Sequence, residues 1–564
     1  MTIDRKCDNI NVFQGGNNIL EKDIEEKNKQ YNPDARNVLI GGAWPYANSS
    51  LHLGHLAALI SGDFLKRYHE LIGDNVVYVS GTDCHGTPIT ERAKREGISP
   101  RDISTKYHNE FKDIFKKMEF SYDLYTKTDD DYHKEHVKKI FNRIYEQGFI
   151  YSKKTEQPYC EHCNKFESDR ELQIKCPNCG AITKGDQCDC GYVPTEEDLI
   201  GATCIECGNT TVQKENNHLY LALSKLQNKI EKYAKENQNN WRVASKNETI
   251  KYLNEGLKDR AVTRDINWGI EIPIEGFEDK RMYVWIEAVL GYLTATQRFC
   301  EENGLNWEKF WKKDNNIRMY MCHGKDNITF HTIILPALLL AMNDNYHLPD
   351  VMVATQYLNI NSEKISKSKG NAITVSQIID KYNRESLRYY VLAYGPENKD
   401  IDFTLENYIN THNADIVNKF GNFVNRTLKF KGLEKIPIGE MDKEIEKCIK
   451  GTYEEVSNLI EKLEIRKACS RIIELIETGN KYYDERKPWI QKNENIEEFN
   501  NTIYTCANVI ANLSNLLEPI MPETSERIRQ YLKIEKPSWK DIKITSNITL
   551  ENIDPLFERI NISK

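Results

Sequence analysis

Two absences narrow what this sequence can encode: it has no long apolar run and no excess of positive charge. No stretch approaches the roughly 20 consecutive apolar residues that a membrane-spanning helix needs, and the opening MTIDRKCDNINVFQGG lacks the apolar segment of a secretion signal. Lys and Arg number 77 against 85 Asp and Glu, which gives a net charge of −8. Any RNA contact must therefore be a local basic surface rather than a general coat. We expect a cytoplasmic protein with no membrane partner.

The hydrophobic content is sufficient for several folded domains. At 564 residues the chain is too long for one core, and 39% of its residues are hydrophobic and 10% aromatic. Residues 1–36 differ, because they are polar, carry the charge run EKDIEEKNKQ and show no sustained periodicity. We expect these residues to form a tail, for which no role is predicted.

Four short β-rich runs organise the first two thirds of the chain: NVLIGGAWPY, DNVVYVSGTD, NIRMYMCHGKD and DVMVATQYLN. Helical stretches separate them, a pattern typical of a parallel α/β sheet covered on both faces. The second run ends at Asp83 and the third begins at Asn316, a gap far longer than an ordinary connection, so the sheet is interrupted by an insertion. After about residue 410 the segment ADIVNKFGNFVNRTLKF places apolar residues at helical spacing, which predicts a helical bundle.

The first run leads into a stretch that suits an anion. In GGAWPYANSSLHLGHLAALISG a strand end is followed by a turn and by a helix that begins near His52, and a helix N-terminus offers N–H groups and a favourable dipole. His52 and His55 lie at i and i+3 around Gly54, so both imidazoles can face the phosphates of a nucleotide. The alternative is a pair of helix-capping histidines. Their position at the end of the first parallel strand favours ligand binding.

The stretch KISKSKGN, residues 364–371, holds three lysines in eight positions. Taken alone, such a charge run is most often a solvated loop. Here it follows the last of the four strand runs, whose ends are expected to gather at one edge of the sheet. We interpret it as a loop that closes Lys367, with Lys364 as a second candidate, over a phosphate group.

Together these two stretches resemble the His-x-Gly-His and Lys-Met-Ser-Lys-Ser signatures of class I aminoacyl-tRNA synthetases. The resemblance is closest to the methionyl-tRNA synthetase family and runs from about Asn37 to the C-terminal helices. It implies ATP-dependent activation of L-methionine and transfer to tRNA(Met), with Mg²⁺ accompanying ATP. It also implies catalytic roles for His52, His55, Lys364 and Lys367, and an ATP site formed by His52, Gly54, His55, Arg264 and Lys367.

The same resemblance implies a methionine site built on a carboxylate and an aromatic wall. Asp83 follows a strand end and is suited to pairing with an ammonium group, although a helix N-cap is the alternative for an Asp at such a turn. Aromatic stripes usually belong to the core, but a polarizable thioether is a good guest for aromatic faces. The implied methionine-binding residues are Trp44, Tyr46, Asp83, Trp285, Ala288, Tyr292, Asp326 and His331.

Eight of the fifteen cysteines lie between Cys160 and Cys207, in the segments YCEHC, KCPNC, QCDC and TCIEC. Each pair is followed by Gly or Asn, the turn residues of zinc knuckles, and disulfides would require an oxidising compartment. Eight thiolates suit one or two structural Zn²⁺ ions, and spacing leaves sequential and nested pairing open. Resemblance to the family suggests nesting, with one group of Cys176, Cys179, Cys188 and Cys190 and another of Cys160, Cys163, Cys204 and Cys207.

Three residues of the C-terminal part resemble the anticodon-binding residues of the family. Asn422 and Arg426 share a helix face at i and i+4, and Trp489 lies in the polar, basic segment RKPWIQKN. Unpaired RNA bases are held by aromatic planes, amides and arginine forks. For Asn422 and Arg426 the alternative is an ordinary solvated face.

The predicted fold class is α/β: a Rossmann-like parallel-sheet catalytic domain split by a zinc-knuckle insertion and followed by an all-α anticodon-binding bundle. A monomer is expected. Two other functions stay open, a synthetase for another aliphatic amino acid and an inactive tRNA-binding paralogue. The predicted division is a tail (1–36), the two halves of the catalytic domain (37–150 and 261–350), the insertion (151–260), the signature loop and stem-contact region (351–410), the helical domain (411–540) and a C-terminal segment (541–564).

Overall fold

A parallel sheet of five strands forms the centre of the N-terminal half in the computed structural model of the chain. The structure describes residues 31–561 except 186, 187, 189, 191, 193, 196, 314, 361, 362 and 365–372. The strands are β1 (Asn37–Gly42), β2 (Asn75–Thr82), β3 (Leu124–Lys127), β4 (Ile317–Gly324) and β5 (Val351–Thr355).

The order of the strands is β5-β4-β1-β2-β3, and every neighbouring pair is parallel. The four strands predicted from apolar runs are confirmed, and β1 is buried along its whole length. The short β3 at one edge of the sheet was not predicted. Because the chain leaves the central β1 towards β2 on one side and returns on β4 on the other, the carboxyl ends of β1 and β4 enclose the crevice where open α/β sheets bind ligands.

Three helices position side chains at this crevice: α1 (Leu53–Ile72), α2 (Asp131–Glu146) and α3 (Val284–Glu302). The predicted start of α1 near His52 is confirmed, since His52 is its N-cap, and Gly73 ends it in the left-handed conformation with φ of 93°. The other helices of this half are Thr87–Glu96, Pro100–Lys117, Glu308–Trp311, Leu335–Ala341, Val375–Ile379 and Arg384–Tyr394, with 3₁₀ turns at Lys325–Asn327 and a π-helical segment at Phe330–Ile334.

The insertion leaves the sheet domain on one long strand and returns on another. Strands Ile150–Cys160 and Val212–Leu221 pair antiparallel over ten residues and project a small cysteine-bearing unit at their far end. The remaining insertion elements are strands Lys165–Phe166, Leu172–Lys175, Ile182–Lys184, Thr203–Cys204 and Arg260–Ala261, helices Gln227–Asn237 and Val243–Glu255, and 3₁₀ turns at Asp169–Glu171, Glu197–Leu199, Leu223–Leu226 and Gln238–Asn240.

The C-terminal part is a helical bundle, as predicted. A continuous helical run from Leu405 to Leu428 contains a π-helical segment, His412–Gly421, and buries Ile416, Phe420 and Phe423 against the other helices. Those helices are Lys443–Glu461, Ile465–Arg486, Pro488–Glu494, Ile496–Leu516 and Pro522–Tyr531. The short strands outside the sheets above are Thr263–Arg264, Arg281–Met282, Leu358–Ile360, Glu363–Lys364, Ile401–Phe403, Lys435–Ile436 and Ile548–Thr549. Among the described residues, no helix combines the length and apolar character needed to cross a bilayer.

Candidate active site

His52 and His55 meet at the N-terminus of α1. The Gly54 N–H donates to His52 Nδ1 at 3.1 Å, and the His52 N–H donates to His55 Nδ1 at 3.2 Å, while the rings stack with centroids 3.7 Å apart. The two Nδ1 atoms thus cap the helix, which was the alternative interpretation of this histidine pair. Because each Nδ1 accepts a hydrogen bond, each neutral ring carries its proton on Nε2, which makes Nε2 a donor suited to an anionic oxygen.

A cavity of about 350 Å³ opens beside this histidine pair, and we call it the helix-end cavity. Its walls come from the ends of β1, β4 and β5, the crevice predicted by the strand order. Asp326 lines this cavity, is exposed, and accepts a hydrogen bond from the Tyr357 hydroxyl. The main lining residues are Ala43, Trp44, Pro45, His52, Gly54, His55, Gly324, Asp326 and Tyr357.

Of the stretch KISKSKGN, the structure describes only the backbone of Lys364. Lys364 pairs through its backbone with Asn359 in a short antiparallel ladder, which brings the start of the loop next to the segment after β5. Lys367 and the side chain of Lys364 lie outside the described residues. Their phosphate roles therefore stay predictions.

Asp83 lies directly after β2 and is almost fully buried, with 2% of its surface exposed. Its backbone N–H donates to Pro45 O and its carbonyl accepts from Ala47 N–H, each at 2.9 Å, so the β1 and β2 ends are joined at this residue. Burial and the neighbouring Glu287 raise the pKa of the Asp83 carboxyl well above its usual value. Among the described residues, no cationic side chain forms an ion pair with it, and a bound ammonium would supply that charge.

An aromatic wall stands beside Asp83, as the sequence suggested. Trp44 meets Tyr292 edge to face with ring centroids 6.5 Å apart, and Trp285 meets Phe330 in the same way at 4.2 Å. Tyr46 forms an isolated parallel bridge with Asp83. Ala288 is half-buried on α3, where it lies between Trp285 and Tyr292 in the sequence. The wall is apolar apart from its hydroxyl and indole groups: the Tyr292 hydroxyl binds His331, and the Trp44 indole N–H has no hydrogen-bond partner among the described atoms.

His331 closes the pocket from the π-helical segment Phe330–Ile334, a backbone form often found at functional sites. Its Nδ1–H donates to Asn327 O at 2.7 Å and its Nε2 accepts from the Tyr292 hydroxyl at 2.8 Å. Burial lowers the pKa of His331 to about 4. The ring is therefore neutral at physiological pH, with its tautomer fixed by these two partners.

Arg264 lies apart from the histidine pair. It lines a second cavity, of about 800 Å³, between the sheet domain and the insertion. Its guanidinium packs 4.0 Å from the Tyr283 ring centre and donates to the carbonyls of Ala261 and Thr263. These contacts hold Arg264 in place, and no acidic residue of the described part of the chain forms an ion pair with it. Its ATP-binding role stays a prediction.

Three buried charged residues behind Asp83 were missed from the sequence: His85, Asp129 and Glu287. Glu287 accepts from His85 Nδ1 at 2.8 Å, and His85 Nε2 lies 3.8 Å from Asp129. One signal was available, because Glu287 is the only charged residue between Tyr283 and Leu293. Its partner could not be found, since the two residues are 202 positions apart.

The eight clustered cysteines form two groups, and the nested pairing is confirmed. Sulfur–sulfur distances are 3.4 and 3.8 Å between facing pairs of one group and 3.8 and 3.5 Å in the other. A tetrahedral zinc ion with bonds of about 2.3 Å places its sulfurs about 3.8 Å apart, whereas a disulfide bond is about 2.0 Å long. Gly180 and Gly208, directly after two of the pairs, adopt φ of 74° and 75°. The donor set and the turns fit a metal ion in each group.

The predicted anticodon residues lie on one face of the bundle. Arg426 donates to Asp484 at 2.7 Å and to Asn480 O at 2.8 Å, and its guanidinium lies 4.3 Å from the Tyr483 ring centre. The Tyr483 ring is 6.1 Å from that of Trp489, which is 49% exposed. Asn422 is exposed four residues before Arg426. Exposed aromatic and amide groups around a fixed arginine are the elements of a base-binding surface.

Comparison with known proteins covers most of the chain. Residues 38–428 match the family described as tRNA synthetases class I (M), and residues 434–555 match the anticodon binding domain of methionyl tRNA ligase. The chain is 45% identical to Methionine--tRNA ligase 1 of Alkaliphilus oremlandii and 43% identical to Methionine--tRNA ligase of Bacillus mycoides. In each case 93% of this chain and 97% of the relative are covered.

A solved structure shares the fold. The Mycobacterium tuberculosis methionyl-tRNA synthetase in complex with methionyl-adenylate is 24% identical, with a TM-score of 0.78 over 93% of this chain and all of that chain. The family matches span both the sheet domain and the bundle, and the curated relatives are covered almost completely. The chain therefore belongs to the methionyl-tRNA synthetase family of class I aminoacyl-tRNA synthetases.

Proposed function

We propose that this protein is a methionine–tRNA ligase, which activates L-methionine with ATP to methionyl adenylate and transfers the methionyl group to tRNA(Met). The observation that carries the proposal is the juxtaposition of Asp83, a buried carboxylate, with an aromatic pocket and the histidine-lined helix-end cavity. Such a site selects an ammonium and an apolar side chain at one end and a phosphate at the other.

In the first step, a carboxylate oxygen of methionine attacks the α-phosphorus of ATP and the bond to the bridging oxygen breaks, which releases pyrophosphate. Asp83 holds the α-ammonium, and Tyr292 with His331 orients the side chain. The Nε2–H groups of His52 and His55 and the ammonium of Lys367 stabilise the charge on the phosphates. In the second step, the terminal ribose hydroxyl of tRNA takes the acyl group and AMP leaves. Mg²⁺ would accompany ATP and neutralise part of its charge.

ATP–pyrophosphate exchange with each amino acid tests the proposal. We expect exchange with methionine alone. Exchange with leucine or isoleucine but not methionine would show that the substrate is a different amino acid. Exchange with none of them would favour an inactive tRNA-binding paralogue. Charging of tRNA(Met) transcripts with radioactive methionine then tests the second step.

The cysteine groups are proposed to hold two structural Zn²⁺ ions, because all four donors of each group are thiolates and no position stays open for a substrate. Metal analysis of the purified protein should give two zinc ions per chain. The C176S/C179S variant should keep one zinc ion. That ion would be the one held by the unchanged group of Cys160, Cys163, Cys204 and Cys207. A ratio of two in that variant would contradict the assignment.

The anticodon surface is proposed to read tRNA(Met) through Asn422, Arg426 and Trp489. The exposure of Trp489 and the fixed guanidinium of Arg426 support this role. We further propose a cytoplasmic monomer, which sedimentation of the purified protein with and without tRNA would test. The domain boundaries given above remain part of the proposal.

A further inference from the structure

Glu287 is a buried carboxylate with no role in the reaction described so far. It is fully buried on α3, and its Oε1 accepts from His85 Nδ1 at 2.8 Å. Its Oε2 has no hydrogen-bond partner among the described atoms and lies 3.9 Å from His133 Nε2. A buried charge is costly unless it is paired. Because burying this carboxylate is costly, we expect its charge to interact with a charged group nearby.

The partner of Glu287 is a buried histidinium. Burial alone would lower the pKa of His85, but Glu287 and Asp129 raise it to about 9. The ring is fixed from a third side by the edge of Trp268, with centroids 5.3 Å apart. His85 is therefore charged at neutral pH and close to Asp83, whose Oδ1 accepts a long hydrogen bond of 3.4 Å from the His85 backbone N–H.

Asp129 is paired with two cationic residues other than His85. It forms ion pairs with Lys134 at 2.9 Å and with Arg101 at 3.2 Å. His133, on α2 behind the cluster, is neutral because burial and His85 lower its pKa to about 3. The net charge next to the α-amine site is therefore set by three groups: the histidinium of His85 and the carboxylates of Glu287 and Asp83.

We propose that Glu287 is a positioning residue of the α-amine site: by pairing with His85 it balances the charge of the histidinium and leaves Asp83 to pair with the ammonium of the amino acid. With Glu287 ionised, the three groups sum to one negative charge, which attracts a cation. Without that charge the sum is zero, and His85 competes with the substrate for Asp83. This inference rests on the proposed function and adds a determinant for it.

The test is the isosteric variant E287Q, in which the amide oxygen can still accept from His85. In ATP–pyrophosphate exchange we expect the KM for methionine to rise about tenfold, because a charge-assisted interaction is weakened, and the KM for ATP to stay unchanged. The matched control is E302Q, since Glu302 lies on the same helix with its side chain 53% exposed. It should leave both constants unchanged.

Two readouts separate charge from packing. The compound 4-(methylthio)butanoate lacks only the amino group of methionine, so its inhibition constant should be the same for E287Q and the unmodified protein. In the E287Q background the substitution H85Q removes the competing cation, and the KM for methionine should fall back towards its original value. A purely structural role for Glu287 would instead weaken both ligands and make the double variant worse than E287Q.

The outcomes are distinct. Methionine-dependent exchange by the unmodified protein with an unchanged KM in E287Q would overturn this inference alone. A similar loss of methionine and 4-(methylthio)butanoate binding in E287Q would also overturn it. The absence of methionine-dependent exchange by the unmodified protein would overturn the proposed function together with the inference.

Discussion

At the amino-acid end of the cleft, polar side chains are held by other buried side chains, whereas at the nucleotide end they line an open cavity. Tyr292 and His331 fix one another at 2.8 Å, and both are almost fully buried. His52 and His55 instead accept backbone hydrogen bonds at their Nδ1 atoms and so cap α1. The difference indicates that buried contacts within the fold shape the proposed methionine pocket, whereas the proposed phosphate site depends on the N-terminus of α1 and on the cavity beside it.

The largest expected effect is at the amino-acid end. Asp83→Asn should lower kcat/KM for methionine roughly 150- to 5,000-fold, because removing one partner of a buried charge pair costs about 3–5 kcal/mol. Kinetics of ATP–pyrophosphate exchange measure this loss. A change below fivefold would show that the ammonium is bound elsewhere.

The same variant should stabilise the folded protein. The pKa of Asp83 is raised on folding, so the native state binds this proton more tightly than the unfolded chain does. The associated stability is lost as pH rises above the ordinary pKa of aspartate, and asparagine avoids this loss. Thermal unfolding at several pH values should give a higher Tm for Asp83→Asn, with a larger gain at higher pH. A lower Tm across the range would contradict the assigned burial cost.

At the nucleotide end, Lys367→Ala should reduce the rate of adenylate formation about 100-fold, the usual loss when one donor to a developing charge is removed. Methionine binding should be nearly unchanged, since the side chains proposed to hold methionine follow β1, β2 and β4 or lie on α3 and the π-helical segment. Single-turnover kinetics measure the rate, and Lys369→Ala is the control. Equal losses in rate and in methionine binding would instead support the interpretation of this stretch as a solvated segment without a catalytic role.

Trp489→Ala extends the comparison to the bundle. Loss of one stacked base should cost about 1–3 kcal/mol, so the KM for tRNA(Met) should rise between about fivefold and 150-fold. Amino-acid activation without tRNA should be unaffected, because Trp489 lies on the bundle, whose helices are separate from the pocket elements. An unchanged KM in aminoacylation assays would remove Trp489 from the anticodon surface.

The smallest expected effect is Tyr292→Phe, which removes the hydroxyl that donates to His331 Nε2. A neutral hydrogen bond contributes about 1 kcal/mol, so the KM for methionine should rise about fivefold with little change in kcat. Steady-state exchange kinetics measure it. A loss as large as that of Asp83→Asn would mean that the pocket is less rigid than the contacts indicate.

The sequence predicted what depends on local patterns. Four buried runs became β1, β2, β4 and β5, and the histidine pair was placed at the start of α1. The missed strand β3 has only four residues, of which only the polar Thr126 is buried, so its apolar pattern is too weak to recognise.

Contacts between distant segments lay beyond the sequence. His85 and Glu287 are joined only when α3 packs against the end of β2, and Arg264 is placed beside the insertion rather than at the histidine pair. The metal groups are intermediate, because spacing gave the ligands and the fold of the insertion decided the pairing.

Rapid-quench measurement of methionyl adenylate formation at varied methionine concentration tests the two-ended account most directly, because it separates the dissociation constant of methionine from the rate constant of the chemical step. The account predicts that Asp83→Asn raises the dissociation constant, and that Lys367→Ala lowers the rate constant at an unchanged dissociation constant. If both variants change the same constant, the two ends of the cleft do not have the separate roles assigned to them.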